Sequence, residues 1–301
     1  VTMNINLDEK NSARLLSALI IARSSSFLVS KLALVYLSPL SLLAARFLLA
    51  FSLLTIIFFP KLKGITKVII LYGAVLGGLF ASVMTFDLLS LRTCSTSTTS
   101  FLENSAIVMV PIINSFITKK LPERRTIMGS VTALCGVAVL ALSQLGSSKS
   151  EGIIFGLCAA VLYSFAIILT GIFSKKADPF LIGIVQVGSI GVFSLMAAVF
   201  TGTLALGMPT SKWIYVIYLA VVCSGFGFTL QPMCQKKVKT EIAGLFCAIS
   251  PLSCTILGII FLREQLSLSM LIGCFLIICG MIVPHLHMPR LHTALNYSNR
   301  L

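Results

Sequence analysis

Six ionisable side chains lie within or at the ends of long apolar runs of this chain: Arg23, Lys31, Arg46, Asp87, Arg92 and Glu103. A charge held in hydrocarbon costs roughly 2.5 to 3.5 kcal/mol on insertion scales, so each marks a place where function or a specific partner retains it. Arg23 is followed by Ser24, Ser25 and Ser26, a full polar turn of helix. A fixed cation beside hydroxyls suits the carboxylate or phosphate of an anionic or zwitterionic metabolite, and the same residues also read as helix glue with Arg23 paired to Glu103. The run Thr93 to Ser100, continuing into Glu103, Asn104 and Ser105, is the most polar stretch inside any apolar segment. From it Thr96, Ser97, Ser100, Glu103 and Asn104 join Arg23, Ser24 and Ser25 as candidate substrate contacts, although hydroxyls also satisfy the backbone of their own helix. Tyr163, Gln186 and Gln231 supply isolated hydrogen-bonding groups in the second half, as ligand contacts or interhelical glue. Arg46 and Glu103 share a depth of about 12 Å, counted at about 1.5 Å per residue, which predicts a buried ion pair. Lys31, Asp87 and Arg92, close to one membrane surface where a charge can snorkel, and Glu264 in a later loop read as structural or gating charges.

These residues bind; they do not form a catalytic set. The chain contains no GxxxxGK[ST] or HExxH run, so nucleotide-driven pumping and zinc hydrolysis lack their minimum parts. The nine cysteines lie in or beside apolar segments with no CxxC spacing, which reads as reduced, buried thiols. His285, His287 and His292 sit together near the C-terminus without a carboxylate pair and read as part of a basic tail; no cofactor or metal is implied. Asp8 and Glu9 in the first dozen residues, with Arg23 breaking the apolar run that follows, argue against a removable signal peptide.

Of the 301 residues, 57% are hydrophobic and 11% charged, with a mean hydropathy of +1.03, a composition that belongs in a bilayer. The formal charge of +14 does not indicate a nucleic-acid partner, because almost no soluble surface remains to carry one. Ten apolar runs are long enough to span the membrane, near 14–35, 39–59, 68–91, 94–118, 126–145, 152–173, 180–202, 213–235, 240–262 and 268–288. Lys and Arg alternate between the connectors. Lys10, Arg14, Lys61, Lys63, Lys67, Lys119, Lys120, Arg124, Arg125, Lys175, Lys176, Lys236, Lys237, Lys239, Arg290 and Arg300 fall on one side, and Arg92, Lys149, Lys212 and Arg263 on the other. By the positive-inside rule both termini are cytoplasmic.

The halves match weakly at an offset of 144 residues: Gly129 and Gly136 correspond to Gly273 and Gly280, and Thr96 to Thr240. Five spans per half is an odd number, so the second half enters the membrane upside down, the inverted-repeat architecture of many secondary carriers. The expectation is an all-α integral membrane protein of ten helices in two inverted five-helix repeats, 1–145 and 150–288, with a tail over 289–301. Pro111 and Pro251, inside spans four and nine, mark candidate cavity walls. The GxxxG pairs Gly73/Gly77 and Gly152/Gly156 read as sites of close helix packing.

The run Ser24-Ser-Ser-Phe-Leu-Val-Ser-Lys-Leu-Ala-Leu34, then Ser38-Pro39, Arg46-Phe47, Thr240-Glu-Ile-Ala-Gly-Leu-Phe, Pro251, Arg263-Glu264, Gly273 and Gly280 resembles the drug/metabolite transporter superfamily in its EamA-like branch. That resemblance implies a central cavity between the repeats and transport of small metabolites, often export, without ATP hydrolysis. Two departures stand out: Arg23-Ser24 occupies the place where such proteins usually carry Trp-Gly, and Lys120 is the 144-offset counterpart of Glu264. The functional expectation is a multi-pass inner-membrane exporter of a small polar, amino-acid-like metabolite, with the lipid bilayer and a small-molecule substrate as partners. Glu103 is the candidate for proton coupling, since arginine does not release its proton. The alternatives are an importer of a nucleotide-like cofactor and a non-transporting membrane scaffold. An intramembrane enzyme lacks a nucleophile with a base at matched depth.

Overall fold

The computed structural model describes residues 9–106, 108–110, 112–113, 119, 124–142, 150–205, 207–229, 249–264 and 267–283, and side chains within them apart from those of 9–20, 140–142 and 249. Ten helices follow one another among these residues: α1 Glu9–Ala33, α2 Pro39–Leu62, α3 Lys67–Thr93, α4 Thr96–Asn104, α5 Arg124–Leu142, α6 Ser150–Phe173, α7 Pro179–Phe200, α8 Trp213–Tyr218 running on as a π-helix over Leu219–Phe226, α9 Ile249–Leu262 and α10 Leu268–Ile282. No strand occurs among the described residues.

Local sequence sets the boundaries. Ser38, Thr66, Ser95, Asp178 and Ser267 each stand in extended backbone before a helix and accept from an amide N–H of its first turn, which satisfies a donor the helix leaves unpaired. Pro39 and Pro179 occupy first helical positions, where a missing N–H costs nothing. Five segments are long and apolar enough to cross a membrane: Pro39–Leu62, Lys67–Thr93, Ser150–Phe173, Pro179–Phe200 and Thr210–Thr229; Ser250–Leu262 and Leu268–Ile282 are shorter apolar helices. Large apolar side chains such as Ile56, Phe59, Phe200, Ile260 and Phe275 are exposed on the outside of the bundle, the surface that lipid covers. The chain is an all-α, multi-pass membrane protein.

The packing is symmetric under exchange of the halves. α5 lies on α10, α2 on α7 and α4 on α9, each pair being first-half and second-half equivalents. The remaining principal contacts come in matched sets: α3 with α6 and α8 with α1, α3 with α7 and α8 with α2, α1 with α9 and α6 with α4. At the α5–α10 contact a Cβ added to Gly136 would lie 2.6 Å from the Gly273 carbonyl oxygen, and one added to Gly280 would lie 2.5 Å from that of Gly129. These are the four glycines of the 144-residue match, and they meet crosswise. Because 129 faces 280 while 136 faces 273, the equivalent helices run antiparallel, as an axis in the membrane plane requires. α2 and α7 are antiparallel for the same reason, with Gly188 against Phe51 and Gly191 against Leu48. The GxxxG reading holds too: Gly73 and Gly77 seat α3 against Val185 and Ser189 of α7, and Gly152 and Gly156 seat α6 against the end of α3 and Leu102 of α4.

Replacing Gly136 or Gly280 by leucine drives a side chain into backbone and is expected to cost about 1 to 3 kcal/mol or more. Thermal unfolding in detergent should fall for both variants and stay unchanged for Gly171→Ala, whose added methyl group meets nothing within 4 Å.

Candidate substrate site

Helical periodicity assembles the site. On α1 the residues Arg23, Ser26, Phe27 and Ser30 recur at intervals that share one face, as do Leu43 and Arg46 on α2 and Met84, Asp87, Leu88 and Leu91 on α3. These faces, with Glu103 of α4 and Phe228 beyond the π-helix, line a cavity of about 40 Å³, room for a few waters. Two guanidinium groups and two carboxyl groups therefore meet around one small volume between helices of both halves.

Arg46 is 3% exposed and is held from two sides. Its Nε donates to Ser224 Oγ at 3.0 Å and its Nη1 to Ser30 Oγ at 3.5 Å, while its guanidinium carbon lies 4.9 Å from the Phe47 ring centroid. Ser224 sits in the π-helical segment, where the wider turn brings a side chain of α8 to α2; π-turns recur at functional positions for this reason. The Arg23 guanidinium carbon stands 5.4 Å from the Phe228 ring centroid. Asp87 and Glu103 are 6% and 7% exposed.

The structure corrects one expectation. Arg46 and Glu103 do not form the expected ion pair: the guanidinium bonds to Ser224 and Ser30, and the ion pair among the described residues joins Lys31 to Glu264. Equal depth is not adjacency, because α2 packs mainly on α7 and α8 while α4 packs on α6 and α9, so the two side chains reach the cavity from different walls. Asp87, within two turns of the end of α3, is buried and lines the cavity, because it shares the inward face of α3 with Met84, Leu88 and Leu91. Arg92 is exposed.

Lys31 and Glu264 form a second cluster at one end of the bundle. Lys31 Nζ donates to the Cys94 carbonyl at 2.8 Å and to Glu264 Oε1 at 3.1 Å. The same carboxylate accepts from the Thr96 amide at 2.7 Å, the Thr96 hydroxyl at 2.9 Å and the Ser97 hydroxyl at 3.3 Å. A carboxylate from the second half thus caps the first turn of α4, where helix dipole and free N–H groups favour negative charge. Thr96 and Ser97 are engaged there, away from the residues that line the cavity.

The other candidates serve helix contacts. Ser24 donates to Ser250 of α9 at 3.0 Å, and Ser25 shares a 2.7 Å hydrogen bond with Tyr218 of α8. Asn104 Nδ2 donates to the Ser100 carbonyl at 2.8 Å within α4. Tyr163 packs edge-on to Phe80, and Gln186 lies where α7 meets the glycine face of α3. Gln231 and Pro111 lie outside the described residues. From the residues singled out in the sequence, then, Arg23, Arg46, Asp87 and Glu103 come together on the cavity. Ser26 is named in the polar turn after Arg23 but not carried among the candidate contacts, and Ser30, Ser224 and Phe228 are not singled out in the sequence. For Ser26 and Ser30 a signal exists: they stand three and seven residues after Arg23 and so share its face, whereas Ser24 and Ser25 do not. No group of three or more His, Cys, Asp or Glu among the described residues is arranged to hold a metal ion.

Comparison with known proteins supplies the broader context. An uncharacterised transporter of Bacillus subtilis, YetK, is 24% identical over 191 residues, 60% of this chain and 57% of the relative. Two uncharacterised transporters of Archaeoglobus fulgidus match at 31% over 161 residues, 54% of this chain and 57% of the relative, and at 24% over 259 residues, 86% and 80%. The chain thus spans little more than half the length of the first two of these relatives. One solved crystal structure, 17% identical, superposes with a TM-score of 0.63 over 90% of this chain and 96% of its own, which shows a shared fold. The sequence profile of the EamA-like transporter family matches residues 13–142 and 150–284, and the chain belongs to that family.

Proposed function

We propose that this protein is a secondary transporter that carries a small polar, amino-acid-like metabolite by alternating access, without ATP hydrolysis. The observation that carries the reading is the set of four charged side chains, Arg23, Arg46, Asp87 and Glu103, lining one cavity among the helices of the first half. Burying four such groups is costly, and replacing them with apolar side chains would pack more stably, so their retention points to a polar occupant. Arg46, already fixed by Ser224 and Ser30, offers a planar fork to a carboxylate. Equal numbers of cations and acids favour a zwitterion over the polyanion that a nucleotide-like cofactor would bring. A volume of about 40 Å³ holds water but no metabolite, so loading requires the walls to part, as alternating access does. Export from the cytoplasm across the inner membrane, with both termini cytoplasmic, is the direction and placement that family resemblance and loop charges favour.

In this reading the Lys31–Glu264–Thr96 cluster is the gate at the end the loop charges assign to the outside. It joins helices of both halves, and opening that end means breaking its hydrogen bonds. Glu103, on the cavity wall, is the proton-responsive group.

Three outcomes are expected. A thermal-shift screen of purified protein against a metabolite library should find amino-acid-class solutes stabilising, by about 2.7 kcal/mol at 100 times the dissociation constant; silence from folded protein supports a scaffold instead. Glu103→Gln in proteoliposomes should abolish the pH dependence of transport while substrate binding persists, and a retained pH dependence removes Glu103 from coupling. Glu264→Gln, in a background where Cys94 is the sole cysteine, should raise Cys94 labelling by a membrane-impermeant maleimide several-fold, since Cys94 is 3% exposed and its carbonyl accepts from Lys31. Unchanged labelling would mean that another contact closes this end.

A further inference from the structure

Asp87 is a cavity residue whose buried carboxylate oxygen packing leaves unexplained. Its side chain lies in a site with 6% exposure, its Oδ1 finds no hydrogen-bond partner, and no ion pair joins it to a described cation. A buried carboxylate oxygen without a donor carries a large desolvation cost, and an asparagine would fill the same space without burying a charge. The same cavity holds Arg46, whose guanidinium is already oriented by Ser224 and Ser30. One occupant therefore faces an oriented cation on α2 and an unsatisfied carboxylate on α3.

Resting on the transporter reading above, we propose that Asp87 is the specificity-determining residue of the site: its Oδ1 accepts a hydrogen bond from a primary ammonium on the solute while the guanidinium groups take the carboxylate. The solute class is then compact zwitterions that bear a free ammonium, and plain carboxylates are rejected because they leave Asp87 buried without a donor. Rejection of this kind is steep, since a site built to bond a polar group pays for its absence in the analogue.

The test compares matched probes that differ only in the ammonium: leucine with 4-methylpentanoate, and phenylalanine with 3-phenylpropionate. Binding to the full-length protein in detergent is measured for wild type, Asp87→Asn, Asp87→Ser and the control Ser82→Ala, whose exposed hydroxyl bonds within its own helix. Wild type and the control should prefer the ammonium-bearing member at least tenfold, about 1.4 kcal/mol. Both Asp87 variants should bind the two members about equally and should melt higher than wild type without solute, because an unsatisfied carboxylate has gone. A preference retained in both variants overturns the proposal. So does a lowered melting temperature or loss of folding in both, either of which makes the carboxylate structural. Binding by wild type without discrimination overturns the role of Asp87 and leaves the transporter reading standing, whereas no binding of any probe removes the amino-acid-like reading and this inference with it.

Discussion

The hydrocarbon interior solvates neither charge nor open backbone, so every polar group carried into it must find its partner inside the protein. That constraint shapes both ends of this molecule's chemistry. Helices satisfy the backbone, and their N-terminal donors are closed by Ser38, Thr66, Ser95, Asp178 and Ser267. The polar side chains then sort into two kinds. Ser24, Ser25, Ser130 and Ser164 bond to neighbouring helices and are spent on packing. Arg23, Arg46, Asp87 and Glu103 gather around one polar hollow.

The hollow is lined by α1, α2, α3 and α4 of the first half and closed on one side by Phe228 of the second. Glycines at 129, 136, 273 and 280 let α5 and α10 approach until backbone touches backbone, which anchors the halves away from the cavity. Close backbone approach recurs where Gly191 of α7 meets Leu48 of α2 and where Gly73 and Gly77 of α3 meet α7, so glycines seat several of the contacts between the halves. The Glu264 carboxylate makes a contact of another kind: it belongs to the second half and satisfies the amide and hydroxyls that begin α4 of the first.

The departure at Arg23 takes on a physical sense in this setting. The two serines that follow it tie α1 to α9 and α8, with Arg23, Ser26 and Ser30 turned to the cavity. Residues that join helices are thus also what aims the residues that line the cavity.

Span count, apolar composition, repeat offset and inversion were legible in the chain alone, because a bilayer demands about 20 apolar residues per crossing and an odd number of crossings reverses a duplicated half. The glycines of the 144-residue match were legible for a similar reason: close backbone approach excludes every larger side chain. Arg23 and Glu103 were likewise marked as cavity residues by charge alone. What the chain could not show is which helices stand side by side. Depth is a one-dimensional coordinate read from residue number, and it paired Arg46 with Glu103; lateral position is set by packing across many helices, and it gave Arg46 to Ser224 and Glu264 to Lys31 and Thr96. Rotation about each helix axis was half legible, since spacing from Arg23 points to Ser26 and Ser30, but only tertiary contacts settled that this face, and the face of α3 bearing Asp87, turns inward.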